Sequence, residues 1–443
     1  MTPSRALCRT FLFLALAAVP LAAVDGQFDS SFHGSGHTYT TNGDPGAAGA
    51  AAWALAPDDR LVYAQGLGVG LLWQATNDTT WSAPCSVTAP AGFGAIAIVD
   101  QIAFDASGRL VIAGLINSTL YPDFLPGFFV RFDYPACTLD TSFSVDGWAF
   151  LVGSPLDHFG VSSFALTGSG LYALGEQGPD SAVARLTDAG NLDPFFDSDG
   201  LWLSNYAGAD VAAGGAVLGN SDLAVVGWAT DAVAGQVAVV TQLSPTGVLR
   251  NTVVIDPRPG EADTAIAYRA ARMGDGRLAV AITDTLAGVD APVAAVLRQQ
   301  GIGSILVLDA SWNGDGVSRL DIGNDARVLA VTSQGDGKVL LGGMRLLGPG
   351  DHDALVIRLD RDGALDPAFN PILLVSHGFK VVSFPSTASD NVGTSIFLSR
   401  DGLPVLGGHT DDGYPGVARL TNAYAFADGF ESGRRTSWSA TSP

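Results

Sequence analysis

The feature that most constrains this chain is a unit of about 55 residues that recurs along its length. Each copy opens with a small-residue turn followed by an apolar strand, as in ASGRLVIAG (106–114) and GDGKVLLGG (335–343). The same place is held in seven copies by Leu61, Leu110, Leu171, Leu223, Leu278, Val339 and Leu403. A repeat of this length predicts one supersecondary unit per copy, each packed against its neighbours.

Three further landmarks complete the unit. A second apolar strand ends in Arg-Leu or Arg-Phe, as in FFVRF (128–132). A turn and an aromatic phrase follow, as in LDPFFDSDG (192–200), and they lead into a third strand. A small apolar strand such as GVSSFAL (160–166) precedes the next copy. The predicted fold class is therefore all-β, a β-propeller most simply of seven four-stranded blades. Six or eight blades remain alternatives because the first unit is degenerate.

The N-terminal phrase FDSSFHGSGH (28–37) is an extra copy of the aromatic landmark with no unit before it. The last unit stops near Asn422, after GVARL (416–420), without its own aromatic phrase. We therefore predict that Phe28 to about Thr41 pairs with residues 416–420 and closes the ring, which protects the edge strands. A linear stack of units would instead leave two apolar end faces that need caps.

The pattern of an Asp-Gly turn, an apolar strand, an Arg-apolar strand end and an Asp-x-x-Phe phrase resembles the delta-60 repeat of exported bacterial proteins. The resemblance covers about residues 27–421 and is good in the units that end at Phe143, Phe196, Trp312 and Phe369. It is poor at 70–95 and at 243–253. It implies a propeller-like β architecture and brings no catalytic residue, cofactor or ligand.

The N-terminus has the pattern of a secretory signal peptide. Arg5 and Arg9 precede an apolar stretch that ends near Val24, and small residues follow it. The stretch is too short for a comfortable membrane span, and the alternative is a buried helix. The predicted organisation is a signal peptide (1–26) cut near residues 22–27, a propeller (27–422) and a polar tail (423–443). The tail is either disordered or docked through Phe430 or Trp438.

The net charge of the chain limits the classes of molecule that it can bind. The chain has 44 acidic residues against 23 Lys and Arg, a formal net charge of −21. Such a field repels nucleic acid and anionic lipid. No later segment is apolar enough to span a membrane. We expect a monomeric secreted, periplasmic or cell-surface protein.

The Asp-Gly turns are the candidate metal sites. In LDRDGALD, Asp360, Asp362 and Asp366 surround a glycine, and calcium loops use oxygen ligands at alternate positions. The alternative is turn chemistry, since Asp bonds local backbone and Gly accepts a positive φ. Calcium is the one cofactor that the residues suggest.

Two other residue sets have alternatives. The recurring aromatics Phe32, Phe143, Phe196, Trp312 and Phe369 are predicted wedges between neighbouring blades, with carbohydrate stacking as the alternative. His33 and His37 have the spacing of two metal ligands on a helix, but the Gly-Ser-Gly between them favours a surface loop.

Export would leave two cysteines in the mature chain, Cys85 and Cys137. An oxidising compartment permits a disulfide between them. Their matching contexts, one repeat apart, leave open that they are too far apart to bridge.

No nucleophile elbow or phosphate loop occurs in the sequence. We therefore expect a non-catalytic binding scaffold for an unknown protein or carbohydrate. Candidate recognition loops are the insertions at 115–127 and 344–353. The alternatives are a hydrolase or lyase acting on polysaccharide, with carboxylates at the channel mouth, and a calcium-stabilised surface protein.

Overall fold

The computed structural model of the chain describes residues 25–39, 52–67, 69–75, 85–204, 208–231, 235–261, 263–301, 303–323, 325–348, 350–371, 378–384 and 390–422. Over these residues the secondary structure consists of 30 β-strands joined by turns and loops, without a helix. The fold is all-β and its sheets are antiparallel, apart from one parallel contact.

The strands group into units of four, which we number along the chain. Unit 1 contains β2 (Ala52–Leu55), β3 (Leu61–Leu67), β4 (Val69–Ala75) and β5 (Cys85–Val87). Unit 2 contains β6 (Phe93–Phe104), β7 (Leu110–Ser118), β8 (Gly127–Asp133) and β10 (Trp148–Leu151), with the short β9 (Thr138–Leu139) beside β8. Unit 3 contains β11 (Phe159–Thr167), β12 (Gly170–Gln177), β13 (Asp180–Thr187) and β14 (Leu201–Leu203).

The next two units share one sheet. Unit 4 contains β15 (Asp210–Val217), β16 (Leu223–Asp231), β17 (Gly235–Leu243) and β18 (Leu249–Ile255). Unit 5 contains β19 (Asp263–Arg272), β20 (Leu278–Leu286), β21 (Val289–Gln300) and β23 (Val317–Arg319), with β22 (Ile305–Leu308) also paired to β21. A short parallel contact between β17 and β19 joins the two units.

Unit 6 contains β24 (Ala326–Ser333), β25 (Val339–Gly348), β26 (Asp351–Leu359) and β27 (Phe379–Val382). Unit 7 contains β28 (Asn391–Leu398), β29 (Pro404–Thr410) and β30 (Pro415–Arg419), and its fourth strand is β1 (His37–Tyr39) from the start of the chain. His37 pairs with Ala418 and Tyr39 with Gly416. This confirms the predicted pairing of the N-terminal segment with residues 416–420.

The first strand of each unit contacts the first strand of the next. These contacts run from β2 to β6, and then through β11, β15, β19 and β24 to β28. β28 also contacts β2. We call these seven the inner strands. Because the strands of a unit are antiparallel, the turns after its first and third strands lie on one side, the turn face. The connections after its second and fourth strands lie on the other side, the loop face.

The recurring aromatics are buried between neighbouring units, as predicted. All five have at most 1% of their surface exposed. Phe143 packs with Leu171 of the next unit, and Phe196 packs with Leu223 and Val225. Phe32, which precedes the fourth strand of unit 7, packs with Leu61 and Tyr63 of unit 1 and so joins the last unit to the first. Each aromatic therefore holds one unit against the next.

An arginine and an aspartate accompany the aromatic. In unit 2, Nε of Arg131 donates to Oδ2 of Asp140 at 2.7 Å, and the guanidinium lies 4.6 Å from the ring centre of Phe143. Matching sets are Arg358, Asp366 and Phe369 in unit 6 and Arg419, Asp29 and Phe32 in unit 7. The cation is therefore satisfied both by a carboxylate and by the face of a buried ring.

Unit 4 replaces this set. Gln242 takes the place of the arginine, and its amide donates to Asp222 at 2.7 Å and accepts from the backbone N–H of Leu306 at 2.8 Å. The segment at 243–253 has neither the aspartate nor the aromatic. The buried carboxylate of Asp222 is paired instead with Arg250, whose Nε lies 2.9 Å from Oδ2 of Asp222.

Candidate functional site

Of the three predicted calcium ligands, Asp360 bonds the backbone of the turn that contains it. Oδ1 of Asp360 accepts the backbone N–H groups of Asp362 and Ala364, at 3.0 and 2.9 Å. Gly363 has φ of 92°, as the turn interpretation requires. Over the described residues, no group of three or more His, Cys, Asp or Glu side chains is placed to hold a metal ion.

Asp366 belongs to a cationic cluster. Its Oδ2 accepts from Nε of Arg358 at 2.7 Å and lies 2.9 Å from Nζ of Lys338. Burial raises its pKa, but hydrogen bonds from Lys338 and the backbone of Ala368, together with the charge of Arg358, lower it below the usual range. A calcium ion at Asp366 would have to compete with both cations.

Within the part of the chain that the structure describes, no histidine or cysteine belongs to a group of three or more potential metal ligands. His37 is part of β1 and its ring lies 4.5 Å from that of Phe28, while His33 precedes the strand at φ of 48°. The two histidines are therefore not on a helix. Cys137 is disulfide-bonded. The side chain of Cys85 lies outside the described residues, so the pairing of Cys85 with Cys137 stays a prediction.

The two insertions predicted as recognition loops both lie on the loop face. The first connects β7 to β8, and the second spans the end of β25 and the start of β26. In the first, Tyr121 packs against Phe124, whose ring lies 4.4 Å from that of His158 in the connection between units 2 and 3. Leu120 is 61% exposed beside them. We call Leu120, Tyr121, Phe124 and His158 the aromatic patch.

A cavity of about 380 Å³ lies among the inner strands. Each unit contributes to its wall: Ala52, Asp100, Ser163, Gly215, Arg269, Ala330 and Ser395. Asp100 and Arg269 are the two ionisable residues among the described lining residues. Burial raises the pKa of Asp100 to about 7, although the charge of Arg269 opposes the change. Burial likewise lowers the pKa of Arg269.

A carboxyl pair forms a second unusual site, on the loop face of unit 5. Asp263 and Asp284 are at most 5% exposed and share a hydrogen bond, and Oδ2 of Asp284 accepts from Nε of Arg258 at 2.6 Å. Burial and the neighbouring Asp284 raise the pKa of Asp263 to about 6. Asp284 also borders a cavity of about 470 Å³ with Asp290, Arg319 and Asp325.

Sequence reasoning identified the loops but missed both carboxyl sites. Asp100 lies in VDQIAF and Asp263 in ADTAIAY. The one available signal was the acidic side chain of Asp100, because the equivalent positions of other units, such as Ala213 and Tyr268, are not acidic.

Neither a protein-family profile nor a curated protein sequence matches this chain. Solved structures resemble it at low identity. The WD40 domain of coronin from Toxoplasma gondii gives a TM-score of 0.47 at 11% identity, covering 90% of this chain and 86% of that one. The β-propeller domain of Nup133 from Vanderwaltozyma polyspora gives 0.45 at 9%, covering 86% and 97%.

The GH93 α-L-arabinofuranosidase of Fusarium graminearum gives a TM-score of 0.39 at 10% identity, covering 90% of this chain and 96% of that one. Since every one of these scores lies below 0.5, we base no argument about this chain on them. Over the described residues, no helix has the length and hydropathy needed to cross a membrane.

Proposed function

We propose that this chain is an exported, non-catalytic binding scaffold built as a seven-bladed β-propeller of the delta-60 type. Two observations support the architecture: units 1 to 7 each contain four strands in succession, with one additional short strand in units 2 and 5, and β28 of unit 7 contacts β2 of unit 1. The disulfide at Cys137 supports export, because disulfides persist in oxidising compartments.

The aromatic patch is the observation that carries the binding role. Rings of Tyr121, Phe124 and His158 come together on a loop that is longer than the equivalent loop of unit 3, and Leu120 beside them is exposed. Exposed apolar and aromatic side chains on a rigid support are typical of recognition surfaces. A protein or a carbohydrate ligand satisfies this chemistry, whereas the net charge of −21 disfavours nucleic acid.

The test places a photo-crosslinking amino acid at position 124 and irradiates the exporting cells. The matched control carries the same group at position 195, because Phe195 is 84% exposed but lies on the turn face. We expect one defined adduct from position 124 and none from position 195. Equal labelling at both positions, or at neither, would contradict a recognition surface on the loop face.

A second candidate function rests on Asp263 and Asp284. A protonated and an ionised carboxyl in contact can act as general acid and general base. Carboxyls that share a hydrogen bond are closer than the separation of about 5 Å or more that glycoside hydrolysis uses. This pair therefore favours an acid–base reaction other than a two-carboxylate glycosidase mechanism. Retention of a hydrolase or lyase activity in Asp284→Asn would rule the pair out as its catalyst.

A further inference from the structure

Six of the seven inner strands, all except β2, share a β-bulge at one equivalent position. The register with the second strand of the unit shifts between Val161 and Ser163 in β11, between Ala212 and Gly214 in β15, and between Ala267 and Arg269 in β19. β6, β24 and β28 have the same shift. The bulged residue is left out of the ladder, so its backbone groups need other partners.

Arg269 satisfies three of these bulges at once. Its guanidinium donates to the carbonyl oxygens of Ser162 at 3.3 Å and Tyr268 at 2.9 Å, and to that of Ala213. These are the bulged residues of three consecutive units. Arginine has five N–H donors, so these three hydrogen bonds leave two N–H groups of this cavity-lining residue for other partners. The cation is thus held in place by the fold itself.

Asp100 is the bulged residue of β6, between Val99 and Gln101. Its Oδ2 is buried without a hydrogen-bond partner in the described part of the chain, and it forms no ion pair with Arg269 within 4.0 Å there. The neighbouring Gln101 is already occupied, because its Oε1 accepts from the hydroxyl of Ser163 at 2.6 Å. A buried carboxylate oxygen needs a hydrogen-bond donor, so Oδ2 of Asp100 is a group that a donor inside the cavity can satisfy.

We propose that this cavity is a binding site for a small, neutral, polyhydroxylated molecule of the monosaccharide class. The hydroxyl groups of one polyhydroxylated molecule can donate to Asp100 and accept from Arg269, whereas a purely cationic group cannot accept and a purely anionic group cannot donate. The ionised pair is already electrically balanced, so a charged ligand would leave a buried net charge. At about 30 Å³ per water, a volume of about 380 Å³ accommodates a pentose or hexose together with water.

The site is independent of the aromatic patch. It is lined by inner strands, whereas the patch consists of loop residues, and the cavity residues belong to all seven units. The absence of an adduct from position 124 would therefore contradict the recognition role of the aromatic patch but not the proposed binding site in the cavity.

The test measures binding to the full mature protein by saturation-transfer NMR and calorimetry, at a pH above the value of about 7 for the pKa of Asp100. The probes are D-glucose, D-galactose, D-mannose and L-arabinose, with D-gluconate and D-glucosamine as charged analogues of similar size. We expect at least one neutral sugar to bind, and both charged analogues to bind more weakly.

Asp100→Asn is expected to weaken that binding about ten- to a hundredfold, since it removes a charge-assisted hydrogen bond. The control is Asp157→Asn, an exposed acid on the loop face, which is expected to bind like wild type. Thermal melting shows whether Asp100→Asn is folded. The proposal is overturned if no neutral sugar binds, if a charged analogue binds best, or if folded Asp100→Asn binds like wild type.

Discussion

Nε of Arg419 donates to Oδ2 of Asp29 at 2.7 Å, although the two residues are 390 positions apart in the chain. Both side chains are 13% exposed, and the guanidinium also lies 4.9 Å from the ring centre of Phe32. The same arrangement occurs within single units, as for Arg358, Asp366 and Phe369. The first residues of the fold therefore supply the missing part of the last unit.

We expect a chain without residues 25–41 to lose its cooperative unfolding transition. The deletion removes β1 and the buried Phe32, whose loss alone should cost about 3–5 kcal/mol. That is a large part of the roughly 5–15 kcal/mol by which domains are stable. The measurement is chemical denaturation followed by tryptophan fluorescence.

A synthetic peptide of residues 25–41, added in trans, tests whether the effect is due to strand pairing. It should restore the transition in a concentration-dependent way, while a peptide with Asp29→Asn and Phe32→Ala should not. Full stability of the truncated chain without peptide would refute the closing role of β1.

Phe196→Ala should lower the free energy of unfolding by about 3–5 kcal/mol, because it empties a packed site between units 3 and 4. The ring of Phe196 is fully buried and lies 5.5 Å from that of Tyr172. The matched control is Phe195→Ala, one residue away and 84% exposed, which should change stability by less than about 0.5 kcal/mol. Similar effects of the two substitutions would mean that Phe196 is not a wedge.

The strands, the buried aromatic residues and the pairing of the chain ends could be predicted from the sequence because each landmark repeats. The strand of Leu171, the burial of Phe196 and the pairing of the N-terminal segment all follow from comparing copies. The ionic partner of the strand-end arginine was not evident from the sequence, because the turn between the two residues varies in length. Asp140 follows Arg131 by 9 positions, whereas Asp366 follows Arg358 by 8. Pairing depends on which face of a strand each side chain occupies, and a change of one residue in the turn obscures that face.

The cavity pair was beyond sequence reasoning for a different reason. Asp100 and Arg269 belong to separate units and face the cavity because of bulges that shift the side-chain alternation. A one-residue bulge reverses which side chains point inward, and no residue pattern in these strands marks it. Only the three-dimensional register brings the two residues to one cavity.

The contacts of Asp25 predict where the expected signal peptide is cleaved. Asp25–Asp29 (DGQFD) corresponds to Asp362–Asp366 (DGALD), and Gly26 has φ of 73° where Gly363 has 92°. Oδ2 of Asp25 accepts from Nη2 of the fully buried Arg358 at 2.6 Å.

We therefore expect export to leave Asp25 on the mature chain. Cleavage should follow residue 22, 23 or 24. Intact-mass and N-terminal analysis of the secreted protein checks this. Loss of Asp25 would remove one of the two carboxylates that pair with the buried Arg358. Because Asp366 remains, the loss should cost less than the roughly 3–5 kcal/mol of a fully broken buried pair, but a measurable amount. A mature chain beginning at Gly26 or later, with undiminished stability, would contradict the expectation.

Calcium should neither bind to nor stabilise the turn at Asp360, Asp362 and Asp366. The carboxylate of Asp360 is used by backbone N–H groups, and that of Asp366 by Arg358 and Lys338. Calorimetric titration of the purified protein with calcium should give no binding heat, and a chelator should not shift the melting temperature. A binding heat that disappears in Asp360→Asn would instead establish the calcium site.

The pH dependence of stability should report Asp100. Its pKa is about 7 in the fold against an ordinary value of 3.8 for an aspartate, so between these values the unfolded chain binds fewer protons than the folded one. Stability from this group is therefore fully present below about pH 4 and is lost as the pH rises through 7. Asp100→Asn removes the titration.

The free energy of unfolding of Asp100→Asn relative to wild type should accordingly rise by up to about 1.4 kcal/mol per pH unit over this range. Asp263 titrates in the same window in both proteins, so the difference between them isolates Asp100. A difference that is constant with pH would mean that Asp100 is ionised throughout, as it would be if it formed a direct ion pair with Arg269. A saturating cavity ligand should flatten the dependence of wild type alone, because a hydroxyl donor to Oδ2 stabilises the ionised form.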